Sequence, residues 1–175
     1  DQMTQALLTR SVDFGLGFYK HPHPQVASDL LVSGQLFLAV AASVWGQAPR
    51  TASPGARLAK VPVIRLVGDD PMRQSFADVA HRLGPPGGAG VQGKTTRRAL
   101  DLVRRGRGWP VVDFLTARGL DPAQMVTLEL HELAPMSLYS YQARSSPPSL
   151  PATRMLAMLP VLLHQTLSGQ HEPRA

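Results

Sequence analysis

From Leu30 to Trp45 the chain runs sixteen residues without a charge, LLVSGQLFLAVAASVW, and this is its most apolar stretch. Apolar residues fall nearly all round a helical wheel, the pattern of a helix wrapped by its own protein. A membrane span needs about 20 such residues, and Asp29 and Gln35 cut this one short. The run therefore predicts a central buried helix over 30–45, and membrane insertion is not expected. A second strongly apolar helix is predicted over Ala152–Leu167, with a kink at Pro160. Together these two helices are expected to bury much of the core, and a partner subunit could share the burial.

Elsewhere the pattern is mixed. Met3, Leu7, Leu8, Val12 and Leu16 recur at roughly helical spacing, predicting an irregular helix over 2–20 that Gly15 and Gly17 loosen at its end. His21-Pro22-His23-Pro24 must be extended, because a residue before proline is pushed out of the α region. It reads as a stiff linker, with His23 near a helix start and Pro24 in its first turn. Residues 47–60 form a polar loop, and Val61–Val67 a short strand with Pro62 near its start. A helix over Met72–Leu83 follows, capped by Asp70 and opened by Pro71. Further helices are predicted over Lys94–Arg105 and Pro110–Arg118, the second closed by Gly119. Val126, Leu128 and Leu130 then alternate with Thr127, Glu129 and His131, the period of a half-buried strand. Leu138–Gln142 is expected to return as the second strand of a hairpin, and residues 168–175 as a frayed tail.

These elements add up to an α/β or α+β fold over residues 1–175 as a single domain. It has a small sheet of about three short strands packed with five to six helices. The composition agrees, with 43% hydrophobic and 17% charged residues. Eighteen Lys and Arg against 12 Asp and Glu give a net charge of +6, which attracts polyanions at long range. There is no cysteine, so disulfides, thiolate metal sites and thiol nucleophiles are excluded. The start at Asp1 suggests a processed or excised piece.

One stretch carries a chemical motif. Residues 88–95 spell G-x-x-x-x-G-K-T, the phosphate-binding loop pattern, with a basic helix behind it. In such a loop glycines let backbone N–H groups curl round phosphate oxygens, the lysine reaches the outer phosphates and the threonine holds Mg²⁺. Gly88, Gly90, Gly93, Lys94 and Thr95 are the candidate phosphate-binding residues. The motif should hang on a buried parallel strand, yet a helix end and the breaker Gly84-Pro85-Pro86 precede it. A metal-holding Asp should follow an apolar strand, and Asp113 is the only candidate. The predicted helix after the motif gathers Ala99, Leu100, Leu102 and Val103 on one side. Opposite them stand Arg97, Arg98, Arg104 and Arg105, with Asp101 among them. With Arg107 and the ring of Trp109, these arginines form a candidate polyanion-binding face.

Other chemistries lack a full set. His21 and His23 share metal spacing without a third ligand, so no metal site is assigned. Glu129 and His131 share the polar face of a strand, usually a solvated one. Nucleophile-elbow and HExxH patterns are absent. No cofactor is assigned, and whether the chain is an enzyme is left open. The features together favour a non-catalytic binding or assembly domain that engages a partner through its basic helix and apolar helices. The alternatives are a phosphate- or nucleotide-binding enzyme or sensor using Gly88–Thr95, and nucleic-acid binding through the Arg face. A protein partner or homo-oligomer is expected, with an acidic partner or nucleic acid as the other options.

Overall fold

The long apolar run does not form a helix. In a computed structural model, which describes residues 2–49, 51–66, 91–93 and 95–168, it is split between two strands, β2 (Val26–Gly34) and β3 (Phe37–Ala41). Only its end is helical, in α2 (Ala42–Trp45). The break is Gln35-Leu36, directly after Gly34, a residue type that weakens a helix interior. β3 lies in the middle of its sheet, and Leu38 to Ala41 are all buried. A strand covered on both faces reads as a continuous apolar run, which periodicity cannot separate from a buried helix.

The chain divides into two compact units, Asp1–Gly34 with Pro135–Ala175, and Gln35–Ala134. In the first, α1 (Gln2–Leu8) leads to β1 (Gly15–Gly17). The expected helix over 2–20 therefore ends early, and Gly15–Gly17 within it are strand. β8 (Met136–Ala143) lies between β1 and β2 and is antiparallel to both. It does not form the predicted hairpin with the strand before it. Leu7, Val26 and Tyr141 form the core here, with Met3 and Tyr139 packed against them. Gly17 is needed where it stands, since a Cβ there would overlap the Tyr141 hydroxyl. That hydroxyl donates to the Tyr19 carbonyl.

The closing helix is α6 (Leu150–Ser168), which runs through Pro160. Its expected role in the core is corrected: only Ala152 is fully buried. Leu156, Leu159, Leu163 and Leu167 are half-buried along one stripe. Met155, Met158, Val161 and Leu162 are exposed. Among the described residues no helix is long and apolar enough to cross a membrane.

The second unit holds a three-stranded antiparallel sheet. β3 is flanked by β6 (Val111–Val112) and β7 (Met125–Glu129). Beside it β4 (Ile64–Leu66) pairs in parallel with β5 (Val91–Gly93). The predicted 47–60 loop contains a short helix, α3 (Pro54–Leu58), capped by Ser53. The basic helix stands as expected, as α4 (Thr96–Arg104) with Thr95 at its N-cap.

The predicted helix over 110–118 is instead β6 followed by α5 (Phe114–Arg118), with Gly119 at its C-cap as read. Val111 and Val112 are β-branched and pair with Leu38 and Phe37. Ala41, Ile64, Ala99, Val103 and Met125 make one core cluster, and Ala39, Val112 and Ala117 another. The predicted helix over 72–83 lies outside the described residues. The α/β class thus holds, with three-stranded sheets and six helices among the described residues.

Candidate functional site

The parallel pair in the second unit gives the site its geometry. Ile64 faces Val91, Arg65 faces Gln92 and Leu66 faces Gly93, so both strands end side by side. Parallel strands deliver ligands to the space beyond their carboxyl ends. Gly93 there runs through Lys94 into Thr95, whose hydroxyl accepts from the Arg98 N–H at 3.3 Å and starts α4. Helix-start amides and the positive end of the helix dipole favour an anion at this place.

Three of the eight motif residues are therefore strand: the Val91 N–H already donates to the Val63 carbonyl at 2.9 Å. Of the candidate phosphate-binding residues, Gly93 ends β5 and Thr95 caps α4, while Gly88, Gly90 and Lys94 lie outside the described residues. Residues 84–87, on which the strand-or-breaker question turned, lie outside them too.

Arg97, Arg98, Arg104 and Arg105 are all exposed, as is Arg107 beyond the helix. Arg104 is paired with Asp101 at 2.8 Å. Trp109 cannot serve as their stacking ring. It is buried, and its indole N–H donates to the Val61 carbonyl at 3.2 Å.

Asp113 is likewise spent on structure rather than on a metal. One carboxylate oxygen accepts from the Leu115 and Thr116 N–H groups at 2.9 and 2.8 Å, and the other from the Thr116 hydroxyl at 2.6 Å. Among the described residues no group of three His, Asp or Glu could hold a metal ion. Glu129 and His131 approach to 3.5 Å, but the strand ends at Glu129 and His131 stands in the turn beyond it, so the expected shared strand face is not formed.

Sequence reasoning missed two polar residues. Among the described residues the buried side-chain oxygen of Gln35 has no hydrogen-bond partner, whereas in the sequence Gln35 read only as a polar interruption of the apolar run. His21, read as part of a stiff linker, is buried in the first unit beside Tyr19 and Tyr141. Burial, then the neighbouring His23 and the amino terminus, hold the His21 imidazole below its ordinary value. Burial also pushes the Tyr141 phenol up.

Comparison with known proteins now assigns the chain. Residues 1–160 match the family model described as the LysR substrate binding domain. No curated protein sequence matches it. CbnR, a LysR family transcriptional regulator solved with its target DNA, shares 19% identity. That match covers 95% of this chain and 57% of CbnR with a TM-score of 0.66. A LysR family regulator from Pseudomonas aeruginosa shares 15% identity over 93% of this chain and 58% of its own, with a TM-score of 0.70. The effector binding domain of a BenM variant shares 20% identity, covering 99% of this chain and 81% of that one, with a TM-score of 0.65. The chain spans only 54–58% of the length of the first regulators it resembles.

The family match overturns the expectation of a general assembly domain built on the basic helix and two apolar helices. One of those helices is two strands, and the other is packed along a single stripe. The chain belongs to the LysR substrate binding domain family.

Proposed function

We propose that the chain is the effector-sensing part of a LysR-type transcriptional regulator, and that it binds a small organic anion. The observation that carries this reading is the family match over residues 1–160. It is supported by the likeness to an effector binding domain across 99% of the chain. On this reading the anion sits beyond the carboxyl ends of β4 and β5, at the start of α4. The Thr95–Arg98 turn supplies backbone donors there, and Lys94 supplies a charge. Homo-oligomerisation and action on target DNA then belong to the regulator as a whole, as the DNA-bound CbnR structure suggests.

Ligand binding raises stability by RT ln(1 + [L]/Kd), about 2.7 kcal/mol at 100 times Kd. That is several degrees in Tm for a chain of this size. A melting screen over small mono- and dicarboxylates and phosphorylated metabolites is expected to find at least one stabilising ligand. Lys94→Ala should then weaken its binding about tenfold, the loss of one charge-assisted contact. Thr95→Ala should cost about 1 kcal/mol of stability through the lost cap. A ligand bound equally well by wild type and Lys94→Ala would remove the site from β5 and α4. A panel without a single stabilising member would count against effector sensing itself.

A further inference from the structure

The segment His21-Pro22-His23-Pro24-Gln25 ties β1 to β2 through an unusual set of hydrogen bonds. Prolines remove the backbone donors at 22 and 24, leaving those of His21, His23 and Gln25. The His21 N–H donates to the Ser28 hydroxyl at 3.0 Å. The other two are taken by imidazoles two residues upstream. The His23 N–H donates to His21 Nδ1 at 3.2 Å, and the Gln25 N–H donates to His23 Nδ1 at 3.2 Å. An imidazole nitrogen accepts only when it carries no proton. Both rings must then be neutral with their proton on Nε2, and in His21 that nitrogen lies 3.2 Å from the Thr4 hydroxyl of α1.

We propose that this pair of imidazole-capped turns is a proton-operated latch. Protonation of either ring turns its Nδ1 from acceptor to donor and opposes it to a backbone N–H. Protonating His21 breaks its turn at a buried position, where its ring also meets Tyr141 edge-on at 5.1 Å and stacks on Tyr19. Protonating His23 releases the Gln25 N–H one step further on. The result is a connection that holds above neutrality and opens on acidification, independently of any effector.

Among the described residues the groups facing these rings include Thr4 from α1, Tyr19 before the segment, Ser28 from β2 and Tyr141 from β8, and the charge of the amino terminus also acts on His21. The Arg144 guanidinium donates to the Pro24 carbonyl at 3.1 Å, adding positive charge beside the pair. Burial, His23 and the amino terminus all hold the His21 imidazole below 6.5. The unfolded chain therefore takes up this proton first, and the folded state loses stability as pH falls below that value.

The test is NMR on the 175-residue chain between about pH 7.5 and about pH 5, the interval in which histidine charges. Ring nitrogen shifts should report the Nε2–H form of both histidines at the upper end. Protection of the His23 and Gln25 amides, corrected for intrinsic exchange, should fall about fivefold on acidification, the factor one hydrogen bond carries. Asparagine accepts from the amide two residues on without titrating. In the double variant His21→Asn, His23→Asn, both amides should therefore stay protected throughout.

His23→Asn alone, at the less buried ring, should keep Gln25 protected while His23 still opens, which covers a double variant that fails to fold. Nδ1–H rings at the upper pH, or amide protection indifferent to pH in the wild type, would overturn the latch. So would a loss in the asparagine variants as large as in the wild type.

Discussion

Arg57 shows how much local structure one side chain can hold. Its guanidinium donates to the carbonyls of Ala52, Trp45 and Pro49 at 3.1, 3.3 and 2.8 Å, and lies 4.6 Å from the centre of the Trp45 ring. Three carbonyls of an irregular segment are satisfied by one planar fork, and the ring face takes up part of its charge. A lysine offers a point charge on a flexible stem and cannot span the three acceptors. Arg57→Lys is expected to cost about 1–2 kcal/mol, the net loss of one to two hydrogen bonds. A melting temperature within a degree of wild type would show that the fork adds nothing beyond its charge.

Gly108 is a second residue fixed by its surroundings. Its φ is +154°, and a Cβ there would stand 2.6 Å from the Pro62 carbonyl oxygen. The neighbouring Trp109 N–H donates to that same carbonyl.

At the scale of elements, what could be read was what local chemistry decides. The basic helix was legible because its apolar residues share a face, although the cap at Thr95 was not read and the helix was begun at Lys94. The end of α5 was legible because Gly119 follows its last turn. Its start was not. Val111-Val112 was absorbed into a helix, although Asp113 followed by Thr116 is a capping pair that marks the boundary. β3 was lost for a different reason, since burial on both faces erases the alternation that identifies a strand.

The candidate site was half legible. Gly93 and Thr95 were picked out by spacing, yet their role as a strand end and a helix cap depends on β4, which pairs with β5 from 27 residues upstream (Ile64 to Val91).

α6 offers a test of propensity freed from packing. Pro160 lies in its interior on an exposed position, where it withholds the N–H that Leu156 would accept. An interior proline costs about 3 kcal/mol relative to alanine, and no buried contact is lost by removing this one. Pro160→Ala should raise stability by about 1–3 kcal/mol, read as a higher denaturant midpoint at unchanged slope. A fall in the midpoint would mean that the proline's ring is itself packed.

For the whole molecule, the order of the chain is informative. One unit is a single continuous stretch, Gln35–Ala134, and the other is made of the two stretches flanking it. The chain leaves the first unit at Gly34 and returns at Pro135, and Gly34 faces Met136 across the antiparallel β2–β8 pair. The continuous stretch thus sits where a hairpin turn would connect two neighbouring strands. This makes the two units separable in principle. Gln35–Ala134 carries its own core, with Ile64, Ala99, Val103 and Met125 in one cluster and Ala39, Val112 and Ala117 in the next. Expressed alone, it should give dispersed amide resonances and a cooperative melt, at lower stability than the 175-residue chain. Conversely, joining Gly34 to Pro135 through Asn-Gly, the preferred two-residue hairpin connection, should preserve the β1–β8–β2 sheet. Protected amides on Ser140 and Tyr141 of the central strand would report it. If neither piece folds, the units share one cooperative transition, and an effector bound to either would stabilise both together. If both fold, binding at β5 and α4 should protect amides of Gln35–Ala134 first.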